Sequence, residues 1–163
     1  MRRLMSAFGH KADILIPITL SDVNGTITCM TSDAIDTAVR QAREVMDGFM
    51  VAFNAEDADA MRKRWFNFPH VRFHGGRVTI MERPEDFHST VWERLGEAKG
   101  WARTGWDYVE LVDAGPDKVH FRVQFTRYRA DGSAMGSYKS LYIVTLQNGR
   151  WGIQGRSSWA DAG

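Results

Sequence analysis

Apolar residues recur at helical spacing at Ile35, Val39, Ala42, Val45, Met46, Phe49, Met50 and Phe53, a spacing that predicts a long helix with one broad buried face. Ser32 or Asp33 can cap it, and Asp36 suits its positively polarised first turn. After Asn54, Ala55 and Glu56, Asp57 can cap a second, shorter helix that carries Met61, Trp65 and Phe66 until Pro69 stops it. A third helix is predicted to open at Pro84, with Glu85 and Asp86 at its positive end and Phe87, Val91, Trp92 and Leu95 on one face. Between the second and third helices, Val71 to Phe73 and Val78 to Ile80 flank Gly75 and Gly76, which tolerate the positive φ of a tight hairpin turn. From Trp106 onward the period becomes two. The runs Trp106 to Val112, Val119 to Arg129, Tyr138 to Gln147 and Trp151 to Trp159 read as an antiparallel meander. Helices first and strands afterwards make an α+β pattern, not a βαβ one.

Turn chemistry fixes which side chains share a face. A two-residue turn at Asn148 and Gly149 sets Leu146 against Trp151, Val144 against Ile153, Tyr142 against Gly155 and Ser140 against Ser157. A two-residue turn at Asp131 and Gly132 sets Val119 against Val144, Phe121 against Tyr142, Val123 against Ser140 and Phe125 against Tyr138. Both turns select the same inward face, and a one-residue slip would instead bury His120, Arg122 and Gln124. That face has a dry end, with Val119, Val144, Leu146, Trp151 and Ile153, and a polar-aromatic end, with Tyr138, Ser140, Tyr142, Ser157 and Trp159. A pocket is expected at the second end, where Gly155 opposite Tyr142 either leaves space or accommodates sheet curvature. In the preceding strand a three-residue loop at Ala114, Gly115 and Pro116 points Asp107, Val109 and Leu111 inward. A shift of one would point Trp106, Tyr108 and Glu110 inward; the first parity is adopted.

Composition narrows the function classes. With 21 Lys plus Arg against 20 Asp plus Glu, the 163 residues carry a formal charge of +1, so no polyanionic partner is implied. Arg62, Lys63 and Arg64 point about 100° apart on a helix and read as a solvated face, not a nucleic-acid site. A lone cysteine, Cys29, excludes an internal disulfide framework and a cysteine-built metal cluster, and fits a reducing, cytoplasmic setting. No apolar run reaches the ~20 residues of a membrane-spanning helix, so no membrane partner is expected. His70 and His74 are four apart, but Pro69 and the glycine pair make the segment extended, which separates their Cα atoms by ~13 Å. No metal site and no cofactor are expected. Residues 1–31, with the apolar run Ile14 to Leu20 broken by Pro17, read as an accessory segment, and residues 32–163 as a single domain.

From Ser32 to Trp159 the chain resembles the nuclear transport factor 2-like superfamily, which includes ketosteroid isomerases, SnoaL-type polyketide cyclases and scytalone dehydratases. The resemblance is carried by Phe53, Asn54, Ala55, Glu56 and Asp57 at the first helix junction, and by Gln147, Asn148, Gly149, Arg150 and Trp151 in the last hairpin. It implies a cone: three N-terminal helices packed in the concave face of a curved, mostly antiparallel sheet. It implies little about activity, because this fold hosts enzymes, binders and dimerising modules. Laid on ketosteroid isomerase at those two junctions, the helix-1 tyrosine falls on Phe49 and the aspartate base on Phe73, so both groups are absent, while the second oxyanion donor falls on Tyr142. A one-residue slip would bring His74 to the base position.

The expected activity is therefore binding of a small apolar or aromatic molecule in a largely apolar pocket lined by Phe49, Trp65, Phe73, Tyr138, Ser140, Ser157 and Trp159. The enzymatic alternative is an isomerase, cyclase or dehydratase with Asp107 as base and Tyr142 as oxyanion donor. A further alternative is a non-catalytic dimerisation module. A homodimer is expected through the outer sheet face that carries His120, Arg122, Gln124 and Tyr128, as sheet-face dimers are common in the superfamily.

Overall fold

The computed structural model describes residues 32–159, apart from the side chains of residues 97–99. The sequence features noted at Ile14 to Leu20 and at Cys29 lie outside the described residues. Helix α1 (Ser32–Asn54) lies on a six-stranded sheet of order β2-β1-β6-β5-β4-β3, in which only β1 and β6 run parallel. The strands are β1 (Phe66–His74), β2 (Arg77–Met81), β3 (Trp101–Ala114), β4 (Lys118–Arg129), β5 (Ala134–Gln147) and β6 (Arg150–Ser158). The sheet is curved and unclosed, and the expected α+β cone is the fold observed.

The apolar stripe of α1 becomes the core. Ala42, Val45, Met46, Phe49 and Phe53 are buried together with Val119, Phe121, Val123, Val144 and Ile153 from β4, β5 and β6. Each large side chain withdrawn from water in this way contributes about 1.5–3 kcal/mol. Asn54, at the end of α1, locks the helix to the sheet by donating to the Thr104 carbonyl at 2.8 Å and accepting the Thr104 N–H at 2.7 Å. Arg150 ties β6 to the start of β1 by donating to the Phe66 carbonyl and to Asn67 Oδ1, at 2.9 and 2.8 Å.

Two helices differ from the sequence pattern. Asp57 does cap α2, with its Oδ1 accepting the Ala60 N–H at 2.8 Å, but the helix (Ala58–Ala60) widens into a π turn (Met61–Trp65) and hands over to β1 at Phe66. Proline 84 opens only a single 3-10 turn (Pro84–Asp86), because the Asp86 carboxylate accepts the N–H groups of Glu82 and Arg83 and folds the chain back on itself. The third helix, α3 (Thr90–Lys99), starts four residues after that turn and stops at Gly100, which adopts φ 67°. The β1–β2 hairpin turns through Gly75 and Gly76 as expected, at φ 57° and 72°.

Register is where expectation and structure part. The β4–β5 pairs Val119–Val144, Phe121–Tyr142, Val123–Ser140 and Phe125–Tyr138 are all present. They survive a longer turn than expected: Arg129 N–H meets the Ser133 carbonyl around a three-residue loop, and a bulge beside Ala134 absorbs the extra residue. On β6 no such compensation occurs. Leu146–Trp151 and Val144–Ile153 pair as expected, but a bulge at Gln154 sets Ile143 against Gly155 and Tyr142 against Arg156. Gly155 therefore does not sit opposite Tyr142, and a Cβ built on it would meet the Ile143 side chain at 3.5 Å on the outer face. In β1 the residues from Phe66 to Val71 run alongside only Ile153 to Gly155 of β6, yet β1 keeps its own alternation, with Phe66, Phe68, His70 and Arg72 inward and Val71 and Phe73 outward, opposite to the expected parity. In β3 a bulge between Trp106 and Tyr108 turns Asp107 outward.

The close approach of Gly48 to Trp65 yields a stability prediction. A Cβ at position 48 would lie 2.2 Å from Trp65 Cη2, so Gly48→Ala must displace the indole from α1. The expected loss is about 1–3 kcal/mol in urea-induced unfolding; an unchanged midpoint would mean that the indole moves freely.

Candidate functional site

The bulge in β6 and the alternation of β1 and β4 place charge where the sequence promised apolar surface. Arg72 of β1 is the cross-strand neighbour of Arg156 of β6, Arg156 is the neighbour of Tyr142, and Arg127 of β4 follows the inward residues Val123 and Phe125. All three arginines line one branched cleft under α1 and α3, whose innermost chamber is open to solvent. Its walls also carry Phe49, Phe53, Trp106, Phe125 and Tyr142. Toward the mouth it widens between His74, Arg94, Tyr138, Ser158 and Trp159.

Neither of these chambers has an Asp or Glu in its lining. A side branch reaches Asp86, whose carboxylate already accepts two backbone N–H groups. The Nε atoms of Arg72, Arg127 and Arg156 are buried with no hydrogen-bond partner, as is the Trp106 indole nitrogen. Arg127 is held over the Tyr138 ring at 4.5 Å, a cation–π contact that supports its stem without neutralising it. Burial first, then the neighbouring Arg156, pulls the Arg72 guanidinium down to about 10, so it stays charged at neutral pH while opposing its own desolvation. The His74 imidazole is likewise lowered, by burial and then by Arg72, Arg156 and Arg127. The cleft thus combines N–H donors and positive charge with aromatic walls. Among the described residues no group of three His, Cys, Asp or Glu is arranged to hold a metal ion.

The sequence-predicted residues divide. Phe49, Tyr142, Tyr138 and Trp159 line the cleft. Ser140 is fully buried on the inward face and donates to Ser158 Oγ at 2.7 Å, beside the cleft without lining it. Trp65 lies against Gly48 and beneath Arg64, outside the cleft lining. Phe73 is 47% exposed and pairs with Ser157 on the outer face, Phe73 by the unbroken alternation of β1 and Ser157 because the bulge at Gln154 turns it out. Asp107 also faces outward: Gln124 Nε2 donates to it at 3.0 Å and the Thr126 hydroxyl at 2.8 Å, so the expected inward base is not in the cleft. Val109 does lie inward beside Val123, because the bulge removes only Asp107 from the alternation. The pocket is accordingly not largely apolar; its aromatic walls carry a cationic centre.

These features fit the class of cone-shaped α+β domains with a curved, unclosed sheet. The chain belongs to the NTF2-like protein family DUF6841, whose model matches residues 36–158. No match was found among curated protein sequences. A protein of unknown function with a cystatin-like fold from Nostoc punctiforme is 16% identical, with 76% of this chain and 91% of that chain covered and a TM-score of 0.61. An NTF2-like protein with a cystatin-like fold from Novosphingobium aromaticivorans is 13% identical over 78% of this chain and 84% of its own, at a TM-score of 0.61. A ketosteroid isomerase-like protein from Erwinia carotovora atroseptica is 16% identical over 76% and 96%, at 0.56. At these identities the likeness is one of fold.

His70 supplies a prediction independent of any ligand. It is fully buried, its Nδ1–H donates to the Ile153 carbonyl at 2.9 Å, and Nε2 has no partner. Burial and then Arg156 depress its imidazole to about 4 from 6.5. The unfolded chain therefore binds a proton that the folded chain refuses: the stability is complete above pH 6.5 and is lost as pH falls toward 4. Denaturant titrations should show a loss of about 3 kcal/mol across that window. His70→Gln, which keeps an N–H donor, should flatten it; an unaltered pH slope in that variant would contradict the assignment.

Proposed function

We propose that the domain binds a small organic anion, its negative group held by Arg72, Arg127 and Arg156 and its body against the aromatic walls. The observation that carries this reading is the burial of three guanidinium Nε–H groups without partners in a cleft whose two main chambers have no carboxylate in their lining. Structural arginines are normally paired, and buried charge without a partner disfavours the fold. A cluster kept in spite of that cost fits a ligand that neutralises it, and a carboxylate or phosphate meets the guanidinium fork with two parallel hydrogen bonds.

Calorimetric titration with benzoate, inorganic phosphate and neutral benzamide tests the reading. The anions should bind saturably and benzamide should not. Arg72→Met and Arg156→Met should each weaken anion binding by at least about tenfold, since a charge-assisted hydrogen bond to a buried group contributes about 1.5–3 kcal/mol. Without added anion both variants should melt higher than the parent, because each removes a buried like charge. Equal affinity for benzamide and benzoate, or no anion binding at all, would overturn the proposal.

One observation supports an enzymatic reading of the same cleft. His74 lies at its mouth, and burial, then the neighbouring arginines, keep its imidazole below the ordinary range, in the neutral form that a proton acceptor requires. With Asp107 on the outer face, His74 takes the place of the expected base, and the arginines would stabilise an oxyanion.

A further inference from the structure

Resting on the anion reading, we infer that the ligand is an aromatic carboxylate bearing a second oxygen acceptor, and that the Trp106 indole N–H reads that acceptor. Trp92, Trp101 and Trp151 each place their indole N–H on a partner within the fold: the Phe53 carbonyl at 2.8 Å, Thr104 Oγ1 at 2.9 Å and Gln41 Oε1 at 2.9 Å. Trp106 lines the same chamber as the three arginines, yet its N–H is buried with no partner. Its ring is otherwise fixed, with Phe49 stacked at 6.2 Å and Tyr142 and Phe125 edge-on at 5.8 and 6.0 Å. It cannot turn away to find an acceptor without breaking three aromatic contacts.

Four residues lining the chamber thus carry an unpartnered, buried N–H donor, among walls of aromatic rings. A bare inorganic anion would meet the guanidinium groups and leave both the rings and the indole N–H unused. A simple aryl carboxylate would use the rings but still leave the N–H unpaired. A ring that carries a carboxylate and a hydroxyl or carbonyl oxygen meets all of them, and a site with a buried polar group discriminates against analogues that lack its partner.

The test is calorimetric titration of benzoate, the three monohydroxybenzoate isomers and inorganic phosphate into the full chain and into Trp106→Phe, which retains an aromatic ring at that position. At least one isomer should bind the parent about three- to tenfold tighter than benzoate, the gain from one hydrogen bond. In Trp106→Phe the ratio of the preferred isomer's affinity to that of benzoate should fall to about one, whatever the change in benzoate affinity itself. If benzoate binds but no isomer is preferred, or the preference survives in Trp106→Phe, the inference fails and the anion reading stands. Phosphate binding as tightly as the best isomer would also overturn it. Absence of binding by every anion would overturn the anion reading itself.

Discussion

The chemistry of the concave face depends on where the sheet breaks its own alternation. A β6 strand that kept strict period two would point Gly155 into the cone and leave Arg156 in water. The bulge at Gln154 reverses β6 at its outer end, so that Arg156 turns inward beside Arg72, which unbroken alternation from Phe66 through Phe68 and His70 already places on the inward face. Below the bulge the original parity holds, and Phe66 and Ile153 remain in the dry core. The same sheet therefore has an apolar end that stabilises the fold and a cationic end that does not. Bulges concentrate beside functional sites because they re-aim side chains in this way.

Stability and site chemistry are consequently in opposition. Van der Waals contact and apolar burial between α1 and β4, β5 and β6 hold the cone, with the Asn54–Thr104 and Arg150–Asn67 hydrogen bonds fixing the helix junction and the β1–β6 seam. Against this, Arg72, Arg127 and Arg156 repel one another in a partly desolvated cleft. Among the described residues none of the three is salt-bridged. Aromatic contacts position the arginines without cancelling their charge, as Tyr138 does for Arg127. A preorganised, electrostatically costly cluster is the arrangement expected where a ligand supplies the missing charge.

Much of the fold was legible in the sequence, because the signals that fix it are local and redundant. The apolar stripe from Ala42 to Phe53, the two glycines of the β1–β2 hairpin and the β4–β5 register all follow from spacing and turn chemistry. Of the three arginines, Arg127 was accessible to the same reasoning, since the register that put Phe125 inward also put Arg127 inward two residues later. Arg72 was not, because the apolar Val71 and Phe73 suggested the parity opposite to that of Phe66, Phe68 and His70, and neither was Arg156, because a bulge has no reliable sequence mark when the inserted residue is an ordinary Gln. Asp107 was misplaced for the same reason: one extra residue in β3 sends it to Thr126 and Gln124 on the outer face. The residue types were visible in the sequence, and the faces of Arg156 and Asp107 were set by insertions in the pairing.

The central claim is that these three guanidinium groups act as one receptor for a single anion. It is tested most directly by following the arginine Nε–H resonances in proton–nitrogen correlation spectra while an organic anion such as benzoate is added at constant ionic strength. The account predicts that the Arg72, Arg127 and Arg156 signals shift together along one saturating curve, with the exposed Arg40 and Arg43 unmoved. Independent, unsaturated drift of all arginine signals, or no change at the three inward ones, would contradict it.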